Sequence, residues 1–297
     1  MSETWTVLRL LTWTTEYLQK HGSESPRLEA EVLLASAKGC ERIMLYAAFD
    51  EVVSDELRAK FRDLVKRRAE GTPVAYLVGK KEFYSLPLRV TPDVLIPRPE
   101  TESVVVAVLD ALKGSGFGVQ GSGEAVAVAD VGTGSGAIAI AVAKHAPNAR
   151  IMAIDLSRPA LEVARANAAQ LGVADRIEFV EGDLLSSLPA EPRFAVIASN
   201  PPYVSEAEYE QLAPQVKNHE PRQALVAGPT GTEVIQRLIP QAAERLVSGG
   251  WMIVELSPMI ASRVVELIAA DGRYEPATLI KDLAGLARVV KTRRKAK

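Results

Sequence analysis

The chain is 297 residues long, 47% hydrophobic and 24% charged, with 35 basic side chains against 37 acidic ones and a formal net charge of −2. Those values describe an ordinary soluble protein of two domains and exclude the global positive field that tight binding to duplex nucleic acid requires. Cys40 is the only cysteine, which excludes an intrachain disulfide and suits a reducing, cytoplasmic compartment. The opening residues lack a basic stretch followed by an apolar core, so no signal peptide is expected. No apolar run approaches the ~20 residues that cross a bilayer. His21, His145 and His219 stand apart from one another and from Cys40, so no protein metal site is expected.

Residues 1–80 read as a small helical domain. Trp5, Leu8, Leu11 and Leu18 recur at roughly helical spacing, as do Leu28, Val32 and Ala35 after Pro26. Over 54–70, Ser54 caps a helix whose apolar stripe is Leu57, Phe61, Leu64 and Val65. Its opposite face, with Arg58, Lys60, Arg62, Lys66, Arg67 and Arg68 offset by acids, reads as solvated. Residues 81–100 form a hairpin and linker, with short strands at 83–84, 86–90 and 94–96 interrupted by prolines.

From 101 to 297 the pattern alternates. A helix over 101–112 is followed by a glycine-rich surface loop at 114–123. Strands are then expected at 125–131, 150–155, 176–181, 193–199 and 251–256, with helices at 136–146, 157–171, 231–247 and 258–270. Two more strands fall near 274–280 and 287–292. Such alternation predicts a doubly wound, mostly parallel sheet. The basic tail from Lys291 onward is expected to end frayed and solvated.

Two stretches carry chemistry. Asp130-Val131-Gly132-Thr133-Gly134-Ser135-Gly136 joins the first strand to its helix, its glycines permitting a tight turn and a close ligand approach. Asp155 follows about 20 residues later, where a ribose-binding acid belongs. The glycines alone do not separate NAD from S-adenosylmethionine. Asp130 suits the ammonium group of a methionine moiety, directly or through water, and is a poor neighbour for a pyrophosphate. Asp183, after the third strand, is placed to accept from an adenine amino group, or else is a turn residue. S-adenosylmethionine is therefore the expected cofactor.

The second stretch, Ser199-Asn200-Pro201-Pro202-Tyr203, ends the buried run Phe194-Ala195-Val196-Ile197-Ala198. Two prolines stop the ladder and hold the chain extended. The Asn200 side-chain oxygen and the Pro201 carbonyl then offer two acceptors, and Tyr203 adds a flat face. That set suits a planar –NH2 group, although a bare Pro-Pro turn reads the same way in isolation.

The glycine loop together with Asn200-Pro201-Pro202-Tyr203 resembles the amino-methyltransferases, which act on adenine, guanine or protein glutamine. Arg68-x-x-Gly71-x-Pro73-x-x-Tyr76-Leu77-x-Gly79-x-x-x-Phe83 and Leu95-Ile96-Pro97-Arg98-Pro99-Glu100-Thr101-Glu102 narrow the choice. With His219-Glu220-Pro221-Arg222-Gln223-Ala224-Leu225 and Asp282-Leu283-Ala284-Gly285-x-x-Arg288-Val289-Val290, they are similar to the peptide chain release factor glutamine N5-methyltransferases (the HemK/PrmC family). After Glu255 that family usually has a glycine-containing turn with a glutamine soon after. This chain has Leu256-Ser257-Pro258-Met259, read as a local loop variation away from the chemistry.

The resemblance implies a Rossmann-like S-adenosylmethionine-dependent methyltransferase sheet and a helical N-terminal domain that recognises the substrate. It implies a monomer acting on release factors, the acceptor being the glutamine amide of their Gly-Gly-Gln motif. Asn200, Pro201 and Tyr203 would be catalytic, with Pro202 beside them at the substrate. Asp130, Gly132, Thr133, Gly134, Gly136, Asp155, Asp183 and Asn200 would hold the cofactor. Phe83, Ile96, Pro97 and Arg98 would shape the pocket wall, with structural packing an equal reading for Phe83 and Ile96. Three alternatives share much of this pattern: a nucleic-acid amino-methyltransferase, a ribosomal-protein glutamine methyltransferase, and a noncatalytic binding protein.

Overall fold

The computed structural model describes residues 4–114, 125–191 and 193–296. They divide into two units, Met1–Lys80 with Ala213–His219, and Lys81–Leu212 with Glu220–Lys297. In the first, helices Val7–Lys20, Pro26–Lys38 and Asp55–Ala69 enclose Leu11, Leu33, Leu34, Leu45 and Phe61. Thr6 and Ser54 cap the first and third of these by accepting from the N–H groups of Arg9 and Leu57. Left-handed Gly39 closes the second.

Two of the predicted faces are rotated. Leu8 and Leu28 are exposed, and Val7, Leu10, Ala30 and Leu33 are buried instead. On the second helix part of the inward face is taken by Glu31, which a hydropathy pattern places outside. It is buried, accepting from Arg27, Arg42 and the Tyr46 hydroxyl. Nor is the basic face of Asp55–Ala69 wholly solvated. Arg68 has a side chain 11% exposed and makes a two-pronged bond to Glu29 at 2.9 Å for each prong.

The second unit starts with a hairpin of β1 (Lys80–Phe83) and β2 (Leu86–Arg89), turned at Tyr84 and Ser85 with φ of 50° and 58°. Residues 94–96, expected as a strand, are irregular, and the Ile96 N–H goes to the Glu220 carboxylate at 3.2 Å rather than to a ladder. The strands that follow are β3 (Val126–Val131), β4 (Ala149–Asp155), β5 (Ile177–Glu181) and β6 (Phe194–Ser199). A small parallel pair comes next, β7 (Val204–Ser205) and β8 (Val226–Gly228), then β9 (Leu246–Glu255), β10 (Thr278–Lys281) and β11 (Ala287–Arg293).

Seven of these form one sheet in the order β10-β11-β9-β6-β3-β4-β5, in which β11 alone runs against its neighbours. Helices Glu102–Gly114 and Ala137–His145 pack on one face through Val104, Val108 and Ile140. Glu233–Arg245 and Ala261–Asp271 cover the other through Ile235, Leu238 and Val264. Because β3, β4, β5, β6 and β9 are parallel, their carboxyl ends emerge along one edge, where ligands of open α/β sheets bind.

Three local expectations need correction. The strand expected at 251–256 begins earlier, at Leu246, because a bulge opposite Phe194 and left-handed Gly249 let the chain join the sheet straight from the helix. Near 274–280 only Thr278–Lys281 is strand, while Tyr274 bridges to Arg294. The basic tail is paired as far as Lys295, and its last residue lies outside the described residues. Residues 291–293 belong to β11, Lys291 and Arg293 lie over the Trp251 ring, and the Lys295 N–H reaches the Arg273 carbonyl. Of the glycine-rich run at 114–123, all but Gly114 lies outside the described residues. Among those described, no helix is long and apolar enough to cross a membrane.

Candidate active site

The loop from Gly132 to Gly136 leaves β3 in a geometry that requires glycine. Gly132, Gly134 and Gly136 have φ of 72°, 55° and 82°. The N–H groups of Gly132 and Thr133 both donate to the Ile154 carbonyl, at 2.8 and 3.0 Å, which fastens the loop to the end of β4. The next residue on β4, Asp155, completes the fastening. Its Oδ2 accepts from the Gly134 N–H and its Oδ1 from the Ser157 N–H, each at 2.8 Å. Burial raises the Asp155 carboxyl above the usual range, and the backbone N–H groups pull it back only in part.

Asp130 sits beneath this loop, 1% exposed. One oxygen, Oδ2, accepts from the Thr133 hydroxyl at 2.7 Å and the Ala139 N–H at 3.0 Å. The other, Oδ1, is buried and has no partner among the described residues. Burial is the main cause that pushes this carboxyl up to about 6, despite the two hydrogen bonds. A buried carboxylate with an empty acceptor is the environment that an ammonium group completes, so the residues present fit the amino-acid end of S-adenosylmethionine.

A cavity opens at the sheet's carboxyl edge. Gly132, Thr133, Gly134, Asp155, Asp183, Asn200 and Pro202 all line it. Asp130, Gly136, Pro201 and Tyr203, expected at the same site, do not. Gly136 is a packing glycine, since a Cβ there would lie 2.9 Å from Ile140 Cδ1 and 3.2 Å from Ala164 Cβ. Pro201 is buried. Asp183 forms an ion pair with Arg237, another lining residue. Both side chains are about half exposed, so the pair is weak and the carboxylate stays accessible.

Asn200 is anchored by its nitrogen, which donates to Thr101 Oγ1 at 3.0 Å. That bond leaves the side-chain oxygen as the end of the amide available to a ligand. Behind the wall, Glu220 is buried and accepts from Arg98 at 2.6 Å and from the Ile96 N–H; these three do not line the cavity, but they hold Pro97, which does. Phe83, offered as a pocket wall, is a core residue packed with Leu88.

Sequence reasoning passed over several residues here. Leu156, 64% exposed, offers an apolar rim directly after Asp155. Glu255 ends β9, 1% exposed, and Oε1 accepts from the Tyr203 hydroxyl at 3.2 Å. The one available signal was position: an acid at the carboxyl end of a parallel strand. The turn after it, Leu256-Ser257-Pro258-Met259, does direct Met259 to solvent. The residue just before the turn nevertheless reaches the Tyr203 of the strand-end motif.

Residues 115–228 match the methyltransferase small domain. A methyltransferase from Pyrococcus furiosus has the same fold, with a TM-score of 0.51 and 20% identity over 78% of this chain and 98% of that one. Fold and site together define a Rossmann-like methyltransferase. Residues 9–79 match the PrmC N-terminal domain. Release factor glutamine methyltransferases from Rhodopirellula baltica and Geobacter sulfurreducens are 49% and 40% identical to this chain. The matches cover 96% and 97% of this chain and 95% and 96% of those proteins. The chain belongs to the release factor glutamine methyltransferase family.

Proposed function

We propose that this protein methylates the side-chain amide nitrogen of the glutamine in the Gly-Gly-Gln motif of release factors, with S-adenosylmethionine as donor. The observation that carries the mechanism is the Asn200 amide, tied through its nitrogen to Thr101 with its oxygen left for the cavity. An amide nitrogen is a weak nucleophile because its lone pair is delocalised into the carbonyl. Asn200 Oδ1 and the Pro201 carbonyl each accept one N–H of the glutamine amide, turn its lone pair toward the donor, and stabilise the positive charge that develops on nitrogen as the new C–N bond forms and the donor's C–S bond breaks, until one amide proton leaves to a backbone oxygen or water. Tyr203 flanks the amide from its tether on Glu255 and helps to exclude water.

When bound, S-adenosylmethionine supplies a methyl group already activated on a sulfonium. Asp155 receives its ribose hydroxyls, Asp130 its ammonium, and Asp183 its adenine amino group, while Gly132, Thr133 and Gly134 give it backbone to lie against. The helical unit of residues 1–80 recognises the protein substrate, and the enzyme works as a cytoplasmic monomer. The test is peptide mass spectrometry of a purified release factor after incubation with enzyme and cofactor. One methyl is expected on the Gly-Gly-Gln glutamine, and none when that glutamine is replaced by alanine. Methyl found instead on RNA, DNA or a ribosomal protein overturns the proposal.

A further inference from the structure

Glu255 is a buried acid with no ion-pair partner among the described residues. The parallel register sets Ser199 of β6 against Val254 of β9, so the next residues, Asn200 and Glu255, leave the sheet side by side. Two charged groups nearby are engaged elsewhere, Arg288 with Asp282 at 2.8 Å and Arg98 with Glu220 at 2.6 Å. Glu100 adds like charge. One oxygen of Glu255 takes the Tyr203 hydroxyl, and the other, Oε2, is buried without a hydrogen bond of good geometry. A carboxylate withdrawn from water with only hydroxyls against it and no cation works against folding, so stability does not account for it.

Thr101 supplies the connection. It is 3% exposed, its hydroxyl oxygen accepts the Asn200 N–H, and the hydroxyl lies against the Glu255 carboxylate. A threonine hydroxyl has one proton to give. Because the amide nitrogen is the donor in the Asn200 bond, the Thr101 proton is left for Glu255. An ionised carboxylate in that place can reach both ends of the Asn-Pro-Pro-Tyr motif, Tyr203 through its hydrogen bond and Asn200 through the adjoining Thr101 hydroxyl.

We propose that Glu255 is a positioning residue for methyl transfer, whose ionised carboxylate orients the Thr101 and Tyr203 hydroxyls and so keeps the Asn200 oxygen turned toward the acceptor amide. Protonation reverses the polarity of this network. A neutral carboxyl no longer draws the Thr101 proton toward itself, so the hydroxyl is free to turn its lone pair away from the Asn200 N–H and release the amide. Burial pushes the Glu255 carboxyl up to about 7; the Thr101 and Tyr203 hydroxyls and Arg288 lower it, and Glu100 raises it further. The ionised, active form is thus lost as pH falls through neutrality.

The inference rests on the glutamine-transfer reading above, and the experiment separates the two. Single-turnover methyl transfer to a release factor, with cofactor and substrate saturating, is followed from about pH 5.5 to 8.5. The wild-type rate should fall about tenfold per unit below an apparent pKa near 7 and be level above it. Glu255→Gln should be slower by about 10- to 100-fold at its high-pH plateau and lose the titration, with cofactor affinity unchanged. Thr101→Val should be slowed to a similar extent, and Thr101→Ser, which keeps the hydroxyl, should recover most of the rate. If Glu255→Gln does not fold, the pH profile decides: Thr101→Val should lose the titration near 7 and Thr101→Ser should keep it, because the hydroxyl is what couples the carboxylate to Asn200. A Glu255→Gln enzyme with the wild-type rate and pH profile, or Thr101→Val equal to Thr101→Ser, overturns the inference alone. A wild-type enzyme that transfers no methyl overturns the underlying reading.

Discussion

Asp155→Ala separates a ribose acid from a merely structural one. The carboxylate accepts two backbone N–H bonds, from Gly134 and Ser157, both at 2.8 Å. Each oxygen has a further lone pair free for a ribose hydroxyl. Losing two charge-assisted bonds to the ribose, at ~1.5–3 kcal/mol each less what water restores, should weaken cofactor binding by roughly 2–4 kcal/mol, or about 30- to 1,000-fold. The free protein should suffer little. Burial raises this carboxyl despite its backbone bonds, so those bonds do not fully offset the cost of holding the charge out of water. The midpoint of thermal unfolding should therefore move by only a few degrees or less. Asp155→Asn should fall between, since one oxygen still accepts while its –NH2 faces a backbone N–H. The assay is calorimetric titration with S-adenosylmethionine, alongside thermal unfolding of the free enzyme. Unchanged affinity in Asp155→Ala would refute the reasoning.

Removing the Asn200 oxygen with Asn200→Ala should slow single-turnover transfer about 10²–10³-fold, equivalent to ~2.7–4 kcal/mol, and leave cofactor affinity nearly intact; Asn200→Asp should be intermediate, and a wild-type rate in the alanine variant would reduce the motif to a turn. Cofactor affinity should climb as pH rises through about 6, because burial disfavours the ionised form of Asp130 in the free enzyme and an ammonium ligand favours it. At a pH about one unit lower it should be about tenfold weaker; titrations showing the same dependence in Asp130→Asn would contradict that assignment. Gly136→Ala should destabilise the second unit by about 2–5 kcal/mol, from ~1–2 for the left-handed backbone and ~1–3 for overpacking against Ile140 and Ala164. Thermal unfolding without a clear drop would argue against close packing there.

Much of the site was legible in the sequence because its signals are local. A glycine turn needs φ > 0 at particular positions, and two prolines end a strand whatever surrounds them, so the loop at 132–136 and the corner at 200–203 are written where they act. The alternation of strands and helices was equally plain, and with it the edge where Asp155, Asp183 and Asn200 would emerge. Tertiary structure decided what no local signal carries. Glu255 meets Tyr203 across 52 residues, Asn200 meets Thr101 across 99, and Arg98 meets Glu220 across 122. The buried Glu31 rotates a helix face that hydropathy misassigns, and pairing with β9 orders a tail that composition reads as frayed. The division has a physical cause: backbone conformation is set within a few residues, whereas the burial and hydrogen bonding of a charged side chain depend on which distant strands a parallel crossover makes neighbours.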